Sequence, residues 1–195
     1  DGAPTGESEL YASASVGWLR RYGQKEPVAI VQLGFGVDMN MGEFHRPALN
    51  LAVVVDVSGS MRGGKTDATK KALATLIDQL NDEDRLAIVL FDHAAWVPMP
   101  STVMDEAGAE AARRIVDKEV YARGSTNIAA GLRFGYEQVA AHVKEAGRSP
   151  RVFLMTDARP NVGDTSANGF KAMMAGAAAT GIGLGAFGVG IDFGQ

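Results

Sequence analysis

Apolar positions along the chain follow two different patterns, and the first covers residues 1–47. Its opening part has apolar side chains at helical spacing, which predicts a helix. That spacing is carried by Leu10, Tyr11, Ala14, Trp18, Leu19 and Tyr22. The odd-numbered positions from 29 to 37 are then all apolar, with glutamine or glycine at 32, 34 and 36, which predicts a strand with one apolar face. We therefore expect residues 1–47 to form an N-terminal extension of one helix and one strand.

The second pattern begins at residue 48, where short apolar runs alternate with segments of helical periodicity. Strands are predicted over 49–55, 86–91, 95–99, 152–156 and 182–191, and helices over 68–80, 103–119, 127–146 and 165–180. Strands separated by helical crossovers form a mostly parallel sheet with helices on both faces. The expected fold class for residues 48–195 is therefore α/β, with a doubly wound sheet. Ligands of such sheets bind beside the carboxyl ends of the strands.

Composition and charge narrow the classes of function. With 46% apolar and 22% charged residues, the chain has the composition of an ordinary globular protein. Nineteen basic against 23 acidic residues give a net charge of -4, which disfavours a nucleic-acid partner. The absence of cysteine excludes disulfides, thiolate metal sites and cysteine nucleophiles. The longest apolar run, Leu51–Val55, is too short for a membrane span.

Oxygen-bearing side chains occur where the predicted sheet would bind a ligand. Asp56, Ser58 and Ser60 follow the first core strand, and Asp157 ends a second one. Thr126 lies at the start of a predicted helix between them. Two carboxylates and three hydroxyls form an all-oxygen site of the kind that hard divalent cations prefer. Because hydroxyls are neutral, such a site leaves part of the ion's charge uncompensated and open to a carboxylate from outside.

The order of these donors resembles the metal-ion-dependent adhesion site of von Willebrand factor type A domains. In that family, Asp-x-Ser-x-Ser is followed by a distant Thr and a distant Asp. The resemblance covers about residues 48–193 and implies the family's Rossmann-like fold. It also implies that Ser58, Ser60 and Thr126 contact the ion directly, whereas Asp56 and Asp157 act largely through water. The implied ion is Mg²⁺, with Mn²⁺ and Ca²⁺ as the other options.

The resemblance further implies a non-enzymatic, metal-dependent adhesion or interaction module. Its partner would be a protein that presents an Asp or Glu side chain to the ion. The neighbouring residues expected to contact that partner are Met61, Arg62, Ser125, Asn127 and Arg159. Adhesive members of the family are mostly extracellular, so we expect an extracellular, periplasmic or cell-surface location, although the family also has cytoplasmic members.

Type A domains normally continue past the strand predicted at 182–191 with one more helix and an edge strand. The sequence ends at Gln195. We therefore expect these final elements to be absent from this chain, and either supplied by another segment or another chain or cut away.

Two other interpretations of the same region stay open. Residues Gly59–Thr66 fit the phosphate-loop pattern G-x-x-x-x-G-K-[ST], in which Lys65 would reach the phosphates and Thr66 would hold Mg²⁺. Asp157 or Asp92 would then be the second metal-binding acid. Alternatively, the metal only stabilises the loops of a structural scaffold. A dinucleotide-type glycine pattern at 183–188 lies within a predicted strand, which favours a strand rather than a nucleotide site.

Overall fold

The computed structural model describes residues 10–19, 27–37, 46–145, 147–157 and 161–190. The chain divides into two units, Asp1–Arg46 and Pro47–Gln195. Among the described residues, no helix is long and apolar enough to cross a bilayer.

The first unit contains an antiparallel β-hairpin. Strand β1 (Leu10–Leu19) pairs with strand β2 (Val28–Val37) along their full lengths. The prediction of a helix was therefore wrong over residues 10–19, and its last part, residues 20–22, lies outside the described residues. The same residues also carry an alternating pattern at 12, 14, 16 and 18, and β2 offers a matching set of apolar positions. Cross-strand pairs on one face are apolar throughout, and Trp18 and Phe35 there are 72% and 75% exposed.

The second unit is built on a five-stranded sheet in the order β5-β4-β3-β6-β7. Four strands run parallel: β3 (Ala48–Asp56), β4 (Arg85–Phe91), β6 (Arg148–Thr156) and β7 (Gly183–Gly188). Strand β5 (Ala95–Val103) pairs antiparallel with β4 at one edge, where Pro98 and Pro100 are tolerated. It extends past the predicted end at residue 99. The central strand β3 is buried on both faces, as its nearly continuous apolar sequence predicts.

Helices cover both faces of this sheet, which confirms the predicted α/β class. Helices α1 (Gly64–Asp78) and α2 (Glu106–Glu119) pack on one face against the odd-numbered side chains of β3. Helices α3 (Ile128–Ala140) and α4 (Ala167–Ala179) pack on the other face with the even-numbered ones. A single turn of 3-10 helix, Gly59–Met61, joins β3 to α1. This arrangement places the carboxyl ends of β3, β4 and β6 at one edge of the sheet.

No described residue fully covers the face of β7 beside α1. Phe187 is 48% exposed, and a groove of about 230 Å³ lies between α1 and the sheet, lined in part by Leu76, Phe153 and Met155. That the helix and edge strand which normally follow this strand in type A domains are absent from this chain stays a prediction.

Candidate metal centre

The loop after β3 turns sharply and brings two hydroxyls together. Asp56 is buried at the strand end, and its Oδ1 accepts a hydrogen bond from the Ser58 backbone N–H at 2.8 Å. The following 3-10 turn is closed by the Met61 N–H, which donates to the Ser58 carbonyl at 3.0 Å. As a result, Ser58 Oγ and Ser60 Oγ lie 3.0 Å apart.

The end of β6 adds a carboxylate to this loop. Parallel pairing of β3 with β6 sets Val55 opposite Met155, so the residues after them emerge side by side. Thr156 Oγ1 donates to Asp56 Oδ2 at 2.6 Å, and Ser60 Oγ donates to Asp157 Oδ1 at 2.8 Å. Residues about 100 positions apart in the sequence thus form one connected cluster of oxygen atoms.

The loop before α3 carries Thr126 to the same edge. The Arg123 N–H donates to the Val57 carbonyl at 2.6 Å, and the Gly59 N–H donates to the Gly124 carbonyl at 3.0 Å. Thr126 itself is buried, and its N–H donates to Asn161 Oδ1 at 2.9 Å. Backbone contacts on both sides therefore fix the position of this third hydroxyl-bearing residue.

A buried acid that is not among the five predicted donors supports the Thr126 loop. The carboxylate of Asp92 accepts from the Ala94 N–H, pairs with His93 Nδ1 at 2.8 Å, and lies 3.6 Å from Arg123 Nε. Its backbone carbonyl accepts from the Asn127 N–H at 2.7 Å. Asp92 thus connects the end of β4 to the loop that carries Thr126. In the sequence, only its position directly after a strand marks Asp92, and that position does not distinguish a supporting role from metal binding.

Charge at the centre is only partly balanced. The pKa of Asp56 is raised, mainly because burial disfavours the charged carboxylate, and the nearby charge of Asp157 acts in the same direction. Hydrogen bonds from Thr156 and Ser58 oppose this shift. The ammonium of Lys65 lies 2.5 Å from Asp157 Oδ2 and supplies one positive charge. Two carboxylates facing one lysine leave a net negative charge, which favours a bound cation.

The donor set fits a hard divalent ion. Ser60 contacts both Ser58 and Asp157, and the Asp56 carboxylate accepts from the Ser58 N–H. Thr126 lies on a loop that is hydrogen-bonded to the loop of these serines. Within the part of the chain that the structure describes, no group of three or more His, Cys, Asp or Glu side chains could hold a metal. A cation at this edge would therefore depend on hydroxyl oxygens together with two carboxylates, which suits Mg²⁺, Mn²⁺ or Ca²⁺ better than softer ions.

The residues predicted to contact a partner differ in their exposure to solvent. Met61 is only 1% exposed, so its prediction as a partner contact was wrong: the 3-10 turn directs this side chain inward. Arg62 is exposed and Ser125 is half-buried. The amide of Asn127 accepts from the Ala130 N–H and donates to the His93 carbonyl, which makes it the N-cap of α3. Arg159 lies outside the described residues.

The contacts of residues 59–66 do not suit a phosphate loop. Such a loop directs free backbone N–H groups at the phosphates, but here the N–H groups of Gly59 and Met61 already donate to carbonyl oxygens. The Lys65 ammonium pairs with Asp157, and Thr66 Oγ1 donates to the Met61 carbonyl at 2.6 Å. The second glycine pattern lies within β7, as predicted.

Comparison with known proteins identifies the family of this chain. A family model for the von Willebrand factor type A domain matches residues 51–159, more than half of the chain. The uncharacterized protein sll0103 of Synechocystis sp. is 36% identical over 119 residues, which is 61% of this chain and 27% of that protein. The chain spans less than a third of the length of the first curated relatives that it matches.

Solved structures show the same fold. A von Willebrand factor type A protein from Catenulispora acidiphila superposes with a TM-score of 0.65 at 19% identity, covering 94% of this chain and 41% of that one. Proximal thread matrix protein 1 from the mussel byssus, with zinc in its metal-ion-dependent adhesion site, superposes with a TM-score of 0.62 at 18% identity. It covers 74% of this chain and 39% of its own. Other structural neighbours include a membrane protein and a pilus tip protein.

Proposed function

Because the chain belongs to the von Willebrand factor type A family, whose domains typically bind a divalent metal and mediate protein interactions, we propose that it is a metal-dependent protein-binding module. A divalent cation held by Ser58, Ser60 and Thr126, and framed by Asp56 and Asp157, binds an Asp or Glu side chain of a partner protein. The module acts by binding and not as an enzyme.

The observation that carries this proposal is the contact of Ser58, Ser60 and Asp157 at the carboxyl edge of the sheet. Hydroxyl groups supply oxygen lone pairs without charge, so a dication bound to them keeps much of its attraction for an anion. The two buried carboxylates, one of them paired with Lys65, leave that attraction for an anion incompletely satisfied. A carboxylate is the anionic ligand that proteins offer most readily to a hard cation.

We assign Mg²⁺ as the resident ion because the donors are all oxygen. Mn²⁺ and Ca²⁺ take similar donors, and the zinc in the mussel byssus protein shows that a related site holds a softer ion. Competition among these ions in one titration series distinguishes them.

The rim around the site carries positive charge suited to an acidic partner. Arg62 is exposed beside the 3-10 turn. Arg123 stacks between Trp96 and Tyr121, with its guanidinium carbon 4.5 Å and 4.3 Å from the two ring centres. Tyr121 is exposed next to the Thr126 loop. We propose that these side chains, together with Ser125, contact the partner around its carboxylate, and that this binding takes place outside the cytoplasm.

Metal binding is tested by titrating the protein with Mg²⁺ and Mn²⁺ in a calorimeter. The wild-type protein is expected to bind one ion, and Asp56→Ala to lose that binding. Ser60→Ala, which removes an exposed hydroxyl, is expected to weaken it about tenfold or more. Asp105→Ala is the matched control, because it removes an acid at the start of α2 and should leave metal affinity unchanged. Unchanged affinity in both site variants would refute the proposal.

Partner recognition is tested with an array of peptide pairs that differ only in Asp against Asn or Glu against Gln. Binding that needs both the acid and Mg²⁺, and that chelator abolishes, would support the module. If Mg²⁺ raises the melting temperature but no acidic peptide binds more than its amide counterpart, the metal only stabilises the loops and the binding function fails.

A further inference from the structure

The side-chain ammonium of Lys65 places a positive charge at the metal centre. It lies in the first turn of α1, and its Nζ is 2.5 Å from Asp157 Oδ2. The Asp157 side chain is 1% exposed and that of Lys65 is 26% exposed, so water screens this ion pair only weakly.

The path of the Lys65 side chain is fixed by the backbone after β7. A Cβ placed on Gly190 would lie 2.9 Å from Lys65 Cε, so the lysine stem rests directly against that glycine. The Val189 N–H in turn donates to the Thr156 carbonyl, which holds this backbone beside the end of β6. The ammonium is therefore guided to Asp157 by its packing as well as by its charge.

Asp157 has both oxygen atoms engaged in this arrangement. Oδ1 accepts from Ser60 Oγ, and Oδ2 pairs with Lys65. A divalent cation that binds beside Ser60 and Asp157 must therefore compete with Lys65 for the Asp157 carboxylate. It also meets the repulsion of the ammonium.

We propose that Lys65 is a built-in competitor of the metal: it stabilises the metal-free site by pairing with Asp157 and gives up that pairing when a divalent ion binds. This inference rests on the proposed metal-binding function and concerns how that site is regulated. It gives Lys65 a role different from the phosphate contact that the glycine-rich sequence around it suggests. Lys65 then sets the concentration of free metal at which the module becomes able to bind its partner.

The first experiment compares Lys65→Met with the wild-type protein in Mg²⁺ and Mn²⁺ titrations. Removing a unit charge within one side-chain length of a dication is expected to tighten metal binding on the order of tenfold. Lys65→Arg keeps the charge and should stay near wild-type affinity. Lys71→Met is the matched control, because it removes the same charge from an exposed position on the same helix.

The second experiment uses the wild-type protein alone and so does not depend on how a variant folds. Amine acetylation with mass-spectrometric readout measures the reactivity of each lysine with Mg²⁺ and with chelator. Lys65 is expected to become several-fold more reactive when Mg²⁺ is present, whereas Lys71 should not change.

The outcomes separate this inference from the function on which it rests. If the wild-type protein binds no divalent ion, the proposed function fails. If it binds metal but Lys65→Met binds with equal or weaker affinity, or if Lys65 reactivity does not rise with Mg²⁺, the competitor role of Lys65 is overturned and the metal site stands.

Discussion

The packing of α3 onto the sheet can be tested by adding one methyl group to the helix through the substitution Gly135→Ala. Gly135 lies on the buried side of α3, and a Cβ added there would come 2.5 Å from Val54 Cγ2 and 3.3 Å from Val152 Cγ1. Ordinary van der Waals contact begins near 3.4 Å, so Gly135→Ala requires a displacement of about 0.9 Å. Val54 belongs to the central strand and is fully buried, which leaves the helix as the part that must move.

The expected cost follows from two opposing terms. Overpacking a buried contact of this kind lowers the free energy of unfolding by about 1–3 kcal/mol. Replacing glycine with alanine inside a helix raises it by about 1 kcal/mol. Because the contact is severe, we expect Gly135→Ala to lower the free energy of unfolding by about 1–2 kcal/mol. The same displacement moves the start of α3, next to Thr126, and should weaken metal binding.

Gly176→Ala is the matched control for this change. Gly176 lies inside α4 on an exposed face, and a Cβ there would meet no atom within 4 Å. Alanine should therefore stabilise the protein by about 0.5–1 kcal/mol. Urea titration of both variants measures the midpoints and slopes. If Gly135→Ala proves as stable as Gly176→Ala, the close contact between α3 and β3 described here is incorrect.

Three further predictions concern charges outside the metal centre. Asp84 is fully buried and its carboxylate accepts from two backbone amides, including Leu49 N–H at 2.8 Å, so Asp84→Ala should cost about 3 kcal/mol; a urea titration showing less than about 1 kcal/mol would contradict this. Asp105 caps α2 by accepting from a first-turn amide, and Asp105→Ala should cost about 1 kcal/mol in the same assay, with no change expected if the cap is dispensable. The hydrogen bond from His142 lowers the pKa of Glu145 below 4.5, with nearby arginines acting in the same direction. The ionised Glu145 carboxylate therefore stabilises the fold above pH 4.5, and this stability is lost as the pH falls through the lowered pKa. In a plot of the free energy of unfolding against pH, Glu145→Gln should reduce the slope on the acid side. An unchanged slope would contradict the hydrogen bond between His142 and Glu145.

The sequence was sufficient to predict the sheet that carries the site. The nearly continuous apolar run at 49–55 is typical of a strand covered on both faces, and helical crossovers around it indicate parallel neighbours. Parallel strands place their carboxyl ends at one edge, which is why Asp56 and Asp157 could be expected together although 101 positions separate them in the sequence.

The failures of prediction come from features that periodicity does not encode. Residues 10–19 satisfy a helical and an alternating pattern at once, and only pairing with β2 decides between them. Met61 follows the donors directly in the sequence, but a single 3-10 turn reverses the direction of its side chain. The pairing of Lys65 with Asp157 spans 92 positions and depends on where the lysine stem can pack.

The donor motif by itself does not account for the assembly of the centre, because two glycines allow its loops to meet. A Cβ at Gly59 would lie 3.2 Å from the Gly124 carbonyl oxygen, the same atom that accepts the Gly59 N–H. Gly124 has a φ of +67°, and a Cβ there would lie 3.1 Å from the side chain of Asp92. Larger residues would push the Thr126 loop away from Ser58 without changing any donor. We therefore expect a chain with all five donors but without these glycines to bring the oxygen atoms to the same edge of the sheet with Thr126 displaced from Ser58, and to bind metal more weakly.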